Sequence, residues 1–411
     1  MTTEWKQDRP TGTQVEVPGE EGPSPHRRGG RRRWWIVFWV VVGLLVLAHL
    51  GGGWYLSGRI YSSALASTPA TGTPAYDDVK VSALGGGRVT LQRLPDAAEN
   101  FDAPGRYGLA WQGGTGVVGP ATRNADGTVT RPFGLVSGRA PTVGQSAAVD
   151  RAVWFTPEAA TGRTPTSVDI AGMPAWLFGS RAGASTGATV IFVHGQNGTR
   201  LDGLRLTRTA MARNAVLDIT YRNDVGAPKD PSGRLGYGAT EWRDLDSAVQ
   251  WALGHGATSV VLAGQSMGGA VVAAFMENSP RRSEVTGLIL DAPALSLADM
   301  VTYGARDMLP GSRAVPASVL WFGERFASAR FGVDWQAIDY VRDSSWVRVP
   351  TLVLHGTADP SVPVELSRRL HAARPDRVRL EEFPGALHAE SWNFDSARYD
   401  ALVSAFLRRV G

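Results

Sequence analysis

Residues 260–278, VVLAGQSMGGAVVAAFMEN, restrict the fold of this chain more than any other stretch. The apolar start suits a buried strand and AVVAAFMEN suits a helix, so GQSMG must turn the backbone sharply between them. A serine on such a turn sits in a strained conformation with its side chain exposed above the sheet. Gly264 and Gly268 remove the side chains that would strike the next strand and the helix. Ser266 is thereby placed for nucleophilic chemistry, which a hydroxyl performs only with a base beside it.

The flanking sequence supplies a sheet for that turn to stand on. TSVDIAGMPAWLFGS reads as an antiparallel pair turning at Ala171-Gly172, and ATVIFVHG as a buried strand. NAVLDITY, TSVVLAG, EVTGLILDAP, VPTLVLHGTADP and VRLEEFPGALH read as further strands. Between them GATEWRDLDSAVQWALGHG puts Leu245, Ala248, Val249 and Ala252 on one helical face. Strands alternating with helices imply a mostly parallel sheet covered on both faces.

Over about residues 166–411 the chain resembles the α/β-hydrolase fold, within it the serine esterase and lipase group whose turns read G-x-S-M-G-G. The resemblance implies the chain order Ser, Asp, His, met here by Ser266, by Asp359 in TLVLHGTADPSVP and by His388 in FPGALHAES. Both partners fall just past strand ends, where chemistry collects in open α/β sheets. Asp291, in LILDAP, is the rival acid. An oxyanion hole is implied at the backbone N–H groups of Met267 and of Gln196, the latter in VHGQNG. A helical cap is implied at about 294–343. Its Met300, Tyr303, Met308, Leu320, Trp321, Phe322, Phe326 and Phe331 either line an acyl pocket or pack the cap onto the body. Other histidines compete poorly: His26 and His49 lie in the tail and the apolar stretch, His194 and His355 in HG turns, His255 and His371 at helix ends or on the surface.

Upstream, Trp34 to Leu56 is a run of 23 residues without charge. As a helix it would span about 34 Å, enough for a hydrocarbon core of about 30 Å. Trp34, Trp35 and Trp39 at one end and Trp54 and Tyr55 at the other suit interfacial belts. Arg27, Arg28, Arg31, Arg32 and Arg33 crowd the upstream flank, which puts the N-terminus in the cytoplasm and the body outside a single-pass cell membrane anchor. A cleaved signal peptide is the alternative, with Ala64-Leu65-Ala66 as its cleavage pattern. A 33-residue leader and the long apolar run stand against it. Residues 1–33 read as a disordered cytoplasmic tail, 34–56 as a transmembrane helix and 57–75 as a flexible stalk. Residues 76–165, with short apolar runs punctuated by glycine and Asp126-Gly127 as a hairpin turn, read as a small β-rich accessory domain.

Of the net charge of +4, residues 57–411 carry only +2, which argues against a nucleic-acid surface. The absence of cysteine excludes disulfides and thiol nucleophiles. No His/Asp/Glu cluster has metal-ligand spacing, so a site free of metal and cofactor is expected. The sequence therefore reads as a membrane-anchored, extracytoplasmic serine hydrolase acting on an ester or related acyl bond of a small-molecule or lipid-like substrate. A serine peptidase or acyltransferase on the same site, or a non-catalytic binding module, are the alternatives.

Overall fold

The computed structural model describes residues 1–3, 5, 12, 29–72, 74–95, 97, 99–179, 187–306, 308–309 and 314–411. The expected disordered tail lies almost wholly outside the described residues, and so does part of the cap insertion. The chain divides into two compact units, Met1–Gly51 and Gly52–Gly411. The first holds most of a helix, Gly29–Ile60, whose candidate span Arg32–Leu65 is long and apolar enough to cross a membrane, with a mean hydropathy of 2.2 over an 18-residue window.

In the second unit the helix runs on past Leu56 into a π-turn, Tyr61–Leu65. This corrects the expectation of a flexible stalk from residue 57. The small polar residues there suggested loose chain, but Leu56, Ile60, Ala64 and Leu65 recur on one side and are buried. Beyond them Ala66 bridges Arg234, and the Ala70 N–H donates to the Asn197 carbonyl.

Next comes a small barrel of β1 (Val79–Gly85), β2 (Arg88–Arg93), β3 (Tyr107–Trp111), β4 (Gly114–Val118), β5 (Thr122–Arg123), β6 (Val129–Gly138) and β7 (Ser146–Asp150). The order is β2-β1-β7-β3-β4-β6-β5, and β2 also pairs with β6, so the antiparallel sheet closes and β5 extends it. Val79, Val81, Val89 and Leu91 alternate inward with period two and meet Leu109 and Trp111.

The main sheet contains β8 (Thr166–Ile170), β9 (Met173–Phe178), β10 (Ala188–Val193), β11 (Ala215–Ile219), β12 (Ser259–Gln265), β13 (Val285–Asp291), β14 (Thr351–Gly356) and β15 (Val378–Phe383). Its order is β8-β9-β11-β10-β12-β13-β14-β15, antiparallel through β9 and parallel from β11 onward. This is the α/β-hydrolase fold. Alternation along β10 explains the two covering layers. Ile191 and Val193 face the core that Leu245, Ala248 and Val249 of the helix Trp242–Gly254 complete, while Val190 and Phe192 face Leu206 and Val403. The last of these lies on the helix Ser396–Val410, whose Tyr399, Val403 and Leu407 are buried at fourfold spacing. Helices Leu297–Gly304 and Ala317–Phe331 fill the insertion between β13 and β14 and form the cap.

Candidate active site

Ser266 stands between the end of β12 and the helix Met267–Asn278, at φ 52° and ψ −121°. A non-glycine residue there stores on the order of 1–3 kcal/mol of strain. The surroundings enforce it. A Cβ on Gly264 would stand 2.5 Å from the Gly268 carbonyl oxygen, and one on Gly268 would run into the Val193 carbonyl. Gly269 is equally constrained, 2.6 Å from Pro293 Cβ by the same construction. The Ser266 N–H donates to the Asp291 carbonyl at 2.9 Å, which ties the turn to β13.

Asp359 follows β14 and His388 follows β15. His388 Nε2 lies 2.9 Å from Ser266 Oγ, and His388 Nδ1 lies 2.7 Å from Asp359 Oδ2. The three side chains singled out in the sequence thus form one continuous hydrogen-bonded line. The Asp359 side chain is fully buried, while that of His388 is 15% exposed. Burial opposes the charge on Asp359, but hydrogen bonds from His355 and His388 and from the Val362 N–H outweigh it and hold the carboxyl well below the usual range. The N–H groups of Ser361 and Val362 both donate to Asp359 Oδ1 at 2.8 Å. Asp291, the rival acid, takes a different place. It is buried, its Oδ2 accepts from Tyr399 at 3.4 Å, and burial pushes its carboxyl up. An imidazole with a hydroxyl on one nitrogen and a buried carboxylate on the other can draw the hydroxyl proton and carry the charge that results.

The turn after β10 lies against the serine: a Cβ on Gly195 would stand 3.0 Å from Ser266 Cβ. The next residue is Gln196. Among the described residues neither the Gln196 nor the Met267 N–H has an acceptor. Asp224, Tyr221 and Tyr237, which sequence reasoning missed, hold this turn. His194 Nε2 meets Asp224 Oδ2 at 2.8 Å, and Tyr221 donates to the Gly195 carbonyl at 2.9 Å. Gln196 itself donates from Nε2 to the Ser63 carbonyl at 2.8 Å and accepts from Tyr237 at 2.9 Å.

The barrel grips the loop that carries His388. Glu390 accepts from Tyr107 at 2.6 Å and from Asn100 at 3.4 Å. Asn393 donates to the Arg106 and Arg151 carbonyls at 2.7 and 2.9 Å, and Arg205 donates to the Ala389 carbonyl and to Asn393 Oδ1. The barrel loop in this contact is fixed by fully buried Arg131, which donates to the carbonyls of Asn100, Phe101, Ala103, Gly105 and Gly119. No local pattern signals the contacts on Glu390 and Asn393, because the partners lie 188 to 290 positions apart. Among the described residues no group of three His, Asp or Glu side chains could hold a metal ion.

Two family profiles match the chain. Residues 239–329 match the family described as serine aminopeptidase, S33, and residues 80–150 match a domain of unknown function (DUF8805). A curated relative, the alpha/beta hydrolase domain-containing protein WAV2 of Arabidopsis thaliana, is 28% identical over 230 residues. That match takes in 50% of this chain and 65% of the plant protein. Among solved structures, the esterase Pf2001 of Pyrococcus furiosus superposes with a TM-score of 0.48 at 20% identity, over 62% of this chain and 95% of that one. The esterase Est2 of Thermogutta terrifontis gives 0.44 at 21%, over 60% and 94%.

Proposed function

Starting from an α/β-hydrolase fold of the serine-hydrolase-like group, we propose that this protein cleaves carboxylic esters or related acyl bonds through an acyl-enzyme on Ser266. The observation that carries the reading is the unbroken line from Ser266 Oγ through His388 to buried Asp359. Ser266 Oγ attacks the carbonyl carbon as His388 Nε2 takes its proton. Asp359 holds the Nδ1–H and offsets the imidazolium charge. The Gln196 and Met267 N–H groups receive the oxyanion. His388 then protonates the leaving alkoxide, and a water deprotonated by the same nitrogen releases the acid and restores the serine.

In this proposal the helix through residues 34–56 anchors the chain, with residues 1–33 in the cytoplasm and the barrel and hydrolase regions outside the cell membrane. Its supports are the length and hydropathy of the helix and the arginines upstream. Replacing Ser266 by Ala should lower ester turnover by about 10⁴-fold or more while leaving the unfolding temperature within a few degrees. Retained turnover would refute the assignment.

A second reading, an aminopeptidase, draws on the S33 description and on a cleft of about 430 Å³ beside His388, whose walls include Asp150, Asp202 and Glu390. Arg151 also lines the cleft and pairs with Asp202 at 3.7 Å, which leaves Asp150 and Glu390 to meet the ammonium group of a peptide N-terminus. Aminoacyl-anilides compared with acyl esters separate the two: preferential cleavage of the anilides selects the peptidase.

A further inference from the structure

The end of the N-terminal helix is built into the cap. A Cβ on Gly323 would stand 2.7 Å from Leu56 Cδ2, and one on Gly53 would collide with Phe322, so glycines on both helices permit the approach. Trp54 meets Phe326 edge to face at 5.7 Å, and Tyr61 stacks on Phe331 at 4.7 Å. Arg330 closes the contact, its guanidinium 3.9 Å from the Trp54 ring centroid and donating to Ser57 Oγ at 2.6 Å. Three of the cap aromatics that could have lined an acyl pocket are thereby spent on holding this helix.

Beside that contact lies a cavity of about 320 Å³. One wall is Leu56, Ile60 and Ala64 of the N-terminal segment, and the facing wall is Met300, Val301 and Gly304 of the cap. Gln196 and Ser361 also line it, the first adjoining Gly195 at the serine and the second following Asp359 by two residues. Arg59, Ser63 and Tyr237 also line the cavity, so its walls are mostly apolar with polar groups toward Gln196 and Ser361, beside the proposed chemistry. Gln196 joins the parts, because its side chain bonds the Ser63 carbonyl while its N–H belongs to the proposed oxyanion site.

We propose that this cavity is the acyl-chain site and that the segment Leu56–Ala64, at the end of the apolar span, is one of its walls. The inference rests on the serine-hydrolase reading and names its substrate class: esters of medium-length aliphatic acids. The volume accepts on the order of ten water-sized groups, which suits a chain of roughly eight to ten carbons. Exposed Met308, Leu309 and Trp321 add apolar surface on the cap. Such an ester could be free in solution or part of a membrane lipid, and the chemistry recognised is the same.

The test uses the full chain in phospholipid nanodiscs with p-nitrophenyl esters from acetate to dodecanoate. The kcat/KM should rise at least tenfold from acetate to decanoate. A Cβ on Gly304 meets nothing within 4 Å, so Gly304→Leu should fold and fill the cavity. It should lower the decanoate-to-acetate ratio at least tenfold in samples that still react with a fluorophosphonate at Ser266. Met300→Ala enlarges the same space and should move the optimum to longer chains, which decides the matter if Gly304→Leu does not fold. Parallel arms with p-nitrophenyl decanoate and didecanoyl phosphatidylcholine vesicles tell a free ester from a membrane lipid. A chain that labels at Ser266 yet shows no length preference, or variants that leave the preference unchanged, would overturn the chain site alone. Absence of labelling in the folded wild type would overturn the serine-hydrolase reading beneath it.

Discussion

The two regions flanking the Ser266–His388–Asp359 line are built on opposite principles. On the barrel side the contact is polar and buried: Tyr107 and Asn100 on Glu390, Arg106 and Arg151 carbonyls on Asn393, Arg205 on Asn393 and the Ala389 carbonyl. On the cap side it is apolar and aromatic, with Trp54 on Phe326, Tyr61 on Phe331 and glycines at the closest approach. Directional bonds with paired donors and acceptors fix one geometry, and each lost partner leaves a buried group unsatisfied. Aromatic and glycine contacts tolerate adjustment and leave room beside them. In the proposed account this is a division of labour: the barrel holds His388, the proposed general base, in place, and the cap with the N-terminal segment shapes what enters.

Breaking the barrel side should have the larger effect. Asn393→Ala strands two carbonyls and one Arg205 donor, and we expect a loss of about 3 kcal/mol in urea unfolding. Because Asn393 follows His388 by five residues, kcat should fall about tenfold as the base loses its exact seat, with KM little changed. A fall in stability with kcat unaltered would reduce the barrel to a structural prop.

Breaking the cap side should cost less stability and more selectivity. Arg330→Ala removes the stack on Trp54 and the bond to Ser57, and a loss of about 1 kcal/mol is expected. Its signature is a broadened chain-length profile, read by the same ester series. A narrower profile would place the determinant elsewhere.

The contrast also accounts for what was legible in the sequence. The strands and the helix Trp242–Gly254 follow from local pattern, whereas singling out Ser266, Asp359 and His388 also needed the chain order that the family resemblance implies. The barrel strands were legible as short runs, but the closure through β2 and β6 was not, because it joins residues some forty positions apart without a turn between them. Glu390 and Tyr107 carry no motif and meet only through the fold. Residues 57–65 misled through composition: serine and alanine suggested a stalk, whereas the spacing of Leu56, Ile60 and Ala64 was the better guide.

A separate effect, on stability against pH and not on turnover, lies away from both flanks. Burial pushes the Asp218 carboxyl up to about 7, with hydrogen bonding from Thr207 opposing it. The unfolded value is about 3.9, so the folded chain retains this proton to higher pH. Its contribution to stability is present below pH 4 and is lost as pH rises through about 7. The unfolding temperature should therefore decline between about pH 4 and 7 and level off above, and Asp218→Asn should flatten that decline. An unchanged slope would assign it to other groups.

The most direct measurement is fluorophosphonate labelling of the full chain, with the modified residue mapped by peptide mass. Modification at Ser266, abolished by His388→Ala and slowed by Asp359→Asn, is the expected result. A folded sample that stays unlabelled, or that labels at another residue, would contradict an activated Ser266 and with it the proposed chemistry.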